Sequence, residues 1–175
     1  DVTIDDLHSM PKQLYDDKMN KLRSKTAGKL IIKEYPTASA HSGHFKSLIN
    51  ELALKKSFKP DVVFIDYLNI CASSRFKGGN ISSYFYIKAI AEELRGLAVE
   101  HNVPIFSATQ TTRTGYVSTD IGLEDTSESF GLPATADFMF ALMSNEELEA
   151  LGQMKVKQLK NRYNDPSMNR AFIVG

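Results

Sequence analysis

Four short apolar runs are spaced along the chain, and β-branched or aromatic residues dominate each of them. The runs are Leu30–Ile32, Val62–Ile65, Val103–Phe106 and Phe138–Leu142. Runs of this length and composition are typical of β-strands, and the unbroken ones at 62 and 138 predict strands that are buried on both faces.

Segments with helical spacing alternate with these runs. An apolar stripe from Phe45 to Leu52 follows Ser42, a candidate N-cap, and a longer stripe extends from Tyr84 to Ala98. An earlier helix is predicted to begin at Ser9–Pro11 and to continue through Leu22. Strand and helix in alternation indicate an α/β fold, in which right-handed crossovers produce a mostly parallel sheet flanked by helices.

The character of the sequence changes after Leu151. Met154–Leu159 and Arg170–Val174 predict two strands, and the segment between them is rich in the turn-forming residues Asn, Asp, Pro and Ser. A C-terminal β-hairpin added to the sheet is expected. The sequence contains no internal repeat or low-complexity linker, so residues 1–175 are predicted to form one domain.

Charge and cysteine content narrow the function classes. The chain has 21 Lys and Arg against 21 Asp and Glu, so any contact with nucleic acid must be local. The single cysteine, Cys71, excludes an intramolecular disulfide framework and a cysteine zinc site. Neither a signal region nor an apolar stretch of about 20 residues is present, and a cytoplasmic location is expected.

Polar residues follow two of the predicted strands. Asp66 comes directly after the run at 62–65, and Gln110 follows the run at 103–106. Ligands of open α/β sheets bind beyond the carboxyl ends of the strands, where an aspartate can hold Mg²⁺ and an amide can sense a γ-phosphate. The alternatives are a capping role for Asp66 and a solvent-facing loop position for Gln110.

Two polar loops after these strands combine cations, small residues and an aromatic residue. Residues 73–80 and 113–120 therefore suit phosphate contacts along a single nucleic-acid strand, although ordinary surface loops have a similar composition. The candidate DNA contacts are Arg75, Lys77, Arg113, Thr114 and Gly115.

Two further cations lie at the start of the hairpin turn. Lys160 and Arg162 are one residue apart, and side chains alternate along a strand, so both are predicted on one face. They either reach together toward a phosphate or remain solvated hairpin charges.

A phosphate-binding loop of the form G-x-x-x-x-G-K-[ST] is absent from the sequence. The Gly28-Lys29 pair is preceded five residues earlier by Arg23 and is followed by Leu30. Nucleotide-binding ability of this chain alone is therefore not expected.

The ordered motifs resemble those of the RecA-like motor domain of DnaB-type replicative helicases, and phage members in particular. Residues 61–70 (DVVFIDYLNI) resemble the family's Walker B strand, and residues 106–113 (FSATQTTR) resemble its strand with a conserved glutamine and arginine. Glu128-Ser129 followed by Ala136-Asp137, and then Lys160-Asn-Arg162, match two later motifs in the same order. The family's preceding arginine is Ser127 here.

The resemblance implies an ATP- and Mg²⁺-dependent 5′ to 3′ helicase that forms a hexameric ring on single-stranded DNA. In that family Asp66 would help hold Mg²⁺, and Gln110 would link the γ-phosphate to the DNA-facing loop that starts at Arg113. Lys160 and Arg162 would reach the neighbouring subunit's γ-phosphate. A primase, a helicase loader and the bacterial host cytoplasm are the partners and location that the family implies.

The chain is accordingly expected to be the C-terminal part of a motor domain, incomplete at its N-terminal side and inactive alone. Two alternatives remain. A RecA-type recombinase shares the core but predicts filaments, and a nucleotide-free scaffold module fits if the natural chain starts near Asp1.

Overall fold

A computed structural model describes residues 2–76, 81–111, 121–125, 131–168 and 170–175. The helices are α1 (Ile4–Ser9), α2 (Lys12–Lys25), α3 (Ser42–Lys56), α4 (Ser83–His101), α5 (Gly131–Thr135) and α6 (Glu146–Ala150). The strands are β1 (Val63–Ile65), β2 (Ile105–Ser107), β3 (Phe138–Met143), β4 (Met154–Asn161) and β5 (Ala171–Val174). Short 3-10 turns cover Leu68–Ile70 and Leu123–Asp125.

Residues 1–34 and 35–175 form two compact units. In the first unit, α2 confirms the predicted early helix. The sequence reading did not predict α1, although a capping box marks its start. Thr3 Oγ1 accepts a hydrogen bond from Asp6 N at 3.1 Å, and the Asp6 carboxylate accepts one from Thr3 N at 2.9 Å.

The predicted strand at Leu30–Ile32 is wrong. This segment has no regular structure, and Leu30 and Ile32 are 81% and 83% exposed. A strand is stable only when its backbone groups pair with a neighbour, and no strand among the described residues pairs with this one.

The second unit contains a parallel strand pair that confirms the α/β prediction. β1 pairs with β2 in the register Val63 to Ile105 and Ile65 to Ser107. The strand β2 begins later than predicted, after Pro104, which has no N–H to donate but accepts a hydrogen bond from Val63 N at 3.0 Å. α4 connects the two strands along the chain.

The C-terminal strands form an antiparallel sheet in the order β3-β4-β5. The predicted hairpin is confirmed as β4 and β5, in the register Met154 to Val174 and Lys157 to Ala171. β3 pairs antiparallel with β4. Within the described residues this sheet is separate from the β1–β2 pair, so parallel pairing is confined to β1 and β2.

The core of the second unit lies along α4. The buried side chains that form it are Leu68, Cys71, Ile87, Ile90, Ala91, Leu94 and Leu132, with Phe45, Ile65 and Tyr86 packed against them. The spacing of the α4 members by three and four is the helical stripe seen in the sequence. Ile90 is the most deeply buried of them, at 1% exposure.

The start of α3 differs from the prediction in one residue. Ser42 is the first helical residue, and His41 is the N-cap, whose Nδ1 accepts a hydrogen bond from Gly43 N at 3.0 Å. The Ser42 hydroxyl instead donates a hydrogen bond to Glu93 of α4.

Burial of both strand faces, predicted at 62 and 138, is also wrong. Phe64 of β1 is 71% exposed and stacks on Phe106 of β2 at a ring distance of 5.4 Å, while Phe138 and Phe140 of β3 are about half exposed. Side chains alternate between the two faces of a strand. Ile65 packs against the α4 core, but the described elements leave the opposite face of β1 open.

No helix formed by the described residues is long and apolar enough to cross a membrane.

Candidate functional site

Asp66 and Gln110 lie at the same edge of the β1–β2 sheet because parallel strands end together. Both side chains are exposed, and Asp66 directly follows Ile65. Gln110 Nε2 donates a hydrogen bond to the Tyr67 hydroxyl at 3.4 Å. The structure therefore brings the two segments predicted to carry nucleotide chemistry into contact.

Further contacts join these two segments. Thr109 Oγ1 donates a hydrogen bond to Asn69 Oδ1 at 2.8 Å, and Leu68 N donates one to Ala108 O at 3.2 Å. The sequence reading missed Tyr67 and Thr109 as linking residues. The available signal was the polar composition of both segments, which does not specify the pairs.

Asp66 suits a magnesium ligand. Mg²⁺ in nucleotide sites is usually held by one or two carboxylates together with waters and phosphate oxygens. An exposed carboxylate at the carboxyl end of a strand fits that pattern. Among the described residues no group of three or more His, Cys, Asp or Glu side chains forms an all-protein cage.

The segment after the first 3-10 turn is fastened to α4 by one carboxylate. Glu93 accepts hydrogen bonds from the Ser73 hydroxyl at 2.6 Å, the Ser74 hydroxyl at 2.7 Å and the Ser42 hydroxyl at 2.8 Å. Ser74 N donates to the same carboxylate at 2.9 Å. Partial burial raises the pKa of Glu93, but these hydrogen bonds outweigh it and hold the pKa at about 2.

Arg75 is the described member of the candidate DNA contacts. It follows the fastened serines, its side chain is 51% exposed, and its Nη1 pairs with Glu92 Oε2 at 2.5 Å. The structure thus presents Arg75 at the surface in an ion pair. The other candidates, Lys77, Arg113, Thr114 and Gly115, lie outside the described residues, as do Ser127, Glu128 and Ser129.

Lys160 and Arg162 converge on the end of α5, as their spacing predicted. Lys160 Nζ donates hydrogen bonds to the carbonyls of Pro133 and Ala134. Arg162 Nη2 donates to the same Ala134 carbonyl at 3.1 Å, and Arg162 Nε lies 2.6 Å from Asp137 Oδ1. Carbonyls at a helix C-terminus lack intrahelical partners and attract cations.

The electrostatics of this cluster are dominated by positive charge. Burial lowers the pKa of Lys160, and the charges of Arg162 and Arg95 lower it further, while Asp137 acts in the opposite direction. An anion brought to this cluster would therefore be attracted.

The sequence reading missed two other contacts of the hairpin. Lys157 of β4 is 6% exposed, and its Nζ donates a hydrogen bond to the Ile121 carbonyl at 2.7 Å. Tyr163, next to Arg162, packs its ring against Phe138 of β3 at 5.6 Å. Both contacts cross between elements, which the alternation within one strand cannot specify.

Two solved structures share this fold. The chain superposes on a solved helicase ATPase domain with a TM-score of 0.62 and 23% identity, over 77% of this chain and 47% of that one. It superposes equally on a DnaB-like replicative helicase whose structure was solved to describe its interactions with primase, with a TM-score of 0.62 and 22% identity, over 77% of this chain and 32% of that one. The class of protein is therefore an α/β, RecA-like helicase ATPase domain.

Sequence similarity narrows the class to a family. Over its whole length the chain is 46% identical to a DnaB-like replicative helicase of Enterobacteria phage T4. The chain belongs to the DnaB-like replicative helicase family, which confirms the resemblance drawn from its motifs. It spans 38% of the length of that relative. No protein-family profile matches the chain.

Proposed function

We propose that the protein containing this chain is an ATP-driven 5′ to 3′ replicative DNA helicase that acts as a hexameric ring on single-stranded DNA. This chain would supply part of its motor domain. The observation that carries the proposal is the convergence of Lys160 and Arg162 on one segment of a separate sheet. Such a pair of cations suits a phosphate presented from outside the β1–β2 site.

The β1–β2 edge would serve the chain's own nucleotide. ATP with Mg²⁺ would bring the transferable phosphoryl group and neutralise part of its charge. Asp66 would hold the ion, and Gln110 would orient a water or contact the γ-phosphate. Because Gln110 touches Tyr67 and Thr109 touches Asn69, a shift of one segment would be felt by the other.

Lys160 and Arg162 would act on the nucleotide of the neighbouring subunit. A planar guanidinium can donate two parallel hydrogen bonds to phosphate oxygens, whereas a lysine acts as a point charge. In that arrangement a nucleotide site is complete only at a boundary between two subunits. Ring assembly and hydrolysis would therefore depend on each other.

DNA would be held by the loops after β1 and β2. Arg75 is the first cation of the former, and Lys77, Arg113, Thr114 and Gly115 complete the proposed contacts. A net charge of +0 does not oppose this, since a ring sums a few cations from each subunit around the strand. A primase and a helicase loader are proposed as protein partners, the first because one structural relative is named for its interactions with primase.

The test is subunit mixing in the full-length helicase. Arg162→Ala should assemble into rings but reduce DNA-stimulated ATP hydrolysis by about 10³-fold or more, the usual effect of losing an arginine finger. Mixing it with a P-loop variant should restore part of the activity, because a mixed boundary can pair an intact site with an intact finger.

Lys55→Ala is the matched control, since it removes an exposed cation of α3 that pairs with Glu51. It should leave hydrolysis and mixing unchanged. Mixed rings that form but hydrolyse no faster than either variant alone would show that Arg162 does not act across a subunit boundary.

A further inference from the structure

Asp137, at the start of β3, holds Arg162 through both its main chain and its side chain. The Asp137 carbonyl accepts a hydrogen bond from Arg162 N at 2.9 Å. Its carboxylate Oδ1 lies 2.6 Å from Arg162 Nε. The base and the middle of the arginine side chain are therefore both attached to one residue.

A second edge of the guanidinium is also held. Arg162 Nη2 donates hydrogen bonds to the carbonyls of Ala134 at 3.1 Å and Ala136 at 3.5 Å. The side chain of Arg162 is 40% exposed. An exposed arginine samples many rotamers when free, but contacts on two edges of its plane select one direction.

The carboxylate of Asp137 is itself fixed by α4. Arg95 Nη2 donates a hydrogen bond to the same Oδ1 atom at 3.2 Å. Arg95 lies on the helix whose Glu92 and Glu93 hold the loop of Arg75. One helix thus carries the contacts of both the candidate DNA loop and the candidate finger.

We propose that Asp137 is a positioning residue that sets the direction of the Arg162 guanidinium for transfer chemistry at the neighbouring subunit. This inference rests on the proposed function. Asp137 itself touches no phosphate and acts through Arg162. The rate advantage of a group held in place is lost when it is displaced by about 1 Å, at a cost on the order of 10²-fold.

The experiment compares Asp137→Asn, Arg162→Ala and the double variant in the full-length helicase, with DNA-stimulated ATP hydrolysis as the readout. Asp137→Asn should lower kcat by about 10- to 100-fold and leave the KM for ATP within about twofold, because only the transition-state contact is displaced. In the Arg162→Ala background the same change should have no further effect, since the residue that it positions is already gone.

Glu100→Gln is the matched control. It converts an exposed carboxylate to an amide and removes an ion pair with Lys46, away from the hairpin. Its kcat should equal that of the parent protein. A general loss of stability from removing one surface charge would lower both variants together.

Each outcome separates the inference from the proposed function. A normal kcat in Asp137→Asn with a large loss in Arg162→Ala overturns the inference and leaves the function standing. A double variant slower than Arg162→Ala shows that Asp137 acts independently, which also overturns the inference. A normal rate in Arg162→Ala overturns the finger itself, and the inference with it.

Asp137→Glu covers the case in which Asp137→Asn does not fold. It keeps the charge for Arg95 but moves the carboxylate by one methylene. Rings with an unchanged KM and a kcat reduced by several-fold would support the inference, and a normal kcat would overturn it.

Discussion

At the scale of single residues, Glu93 does most to order the segment that carries Arg75. Its carboxylate gathers the hydroxyls of Ser42, Ser73 and Ser74, which come from α3 and from the loop after β1. Hydrogen bonds to an ionised carboxylate are stronger than those between neutral groups. The loop is therefore fastened only while Glu93 is charged.

Glu93→Gln should lower the free energy of unfolding near pH 7 by about 1–2 kcal/mol, less than the full pKa shift because the group is partly solvated. The folded pKa of about 2 lies below the ordinary 4.5, so the stabilisation is present above pH 4.5 and is lost as the pH falls toward 2. Urea unfolding at about pH 7 and about pH 3 should show the variant and the parent chain converging.

Glu51→Gln, on an exposed face of α3, is the control for loss of a carboxylate. It should change the unfolding free energy by less than about 0.5 kcal/mol. An equal deficit of Glu93→Gln at both pH values would contradict a charge-dependent role.

Sequence reasoning located the residues that a sheet positions and missed those that packing positions. Asp66 and Gln110 were predictable because parallel strands end at one edge. Glu93 and Asp137 were not, since their partners lie on other elements, 20 positions away for Ser73 and 42 for Arg95. No local period connects such distant residues.

At the scale of elements, the patterns predicted regular structure well and burial poorly. The stripes that became α3 and α4 and the paired runs that became β4 and β5 carry their period within one segment. The run at Leu30–Ile32 has the composition of a strand but no partner among the described strands. Exposure of Phe64 likewise depends on what covers the sheet, which the strand's own residues do not encode.

Ile90→Ala tests α4 as the centre of the core. Removing a side chain that is 1% exposed should lower the free energy of unfolding by about 2–4 kcal/mol, because the lost transfer free energy adds to that of the cavity. Denaturant unfolding measures the change.

Val99→Ala on the same helix is the control, since Val99 is 71% exposed. Its effect should remain within about 0.5 kcal/mol. Similar losses for the two variants would mean that α4 contributes through helix propensity and not through packing.

At the scale of the whole molecule, the two sheets divide the proposed chemistry. The β1–β2 edge carries Asp66 and Gln110, while the antiparallel sheet carries Lys160 and Arg162. A divided site suits an enzyme in which each subunit supplies one half of every boundary. A chain without its neighbours would hold both halves but complete neither.

The purified 175-residue chain should therefore show no ATP hydrolysis and no binding of ATP at ordinary helicase affinity. Its sequence has no G-x-x-x-x-G-K-[ST] motif, whose backbone amides and lysine supply most phosphate contacts. Phosphate release measured beside the full-length helicase checks this. Turnover on the order of one per second that Asp66→Asn removes would contradict it.

The ring contact between Tyr163 and Phe138 offers an optical view of the hairpin. The chain contains no tryptophan, so Tyr163→Trp would place the sole indole of these 175 residues beside Arg162. Indole emission responds to the polarity and packing of its surroundings. A stopped-flow trace at that one position would report when the finger docks and when it leaves, within a single turnover.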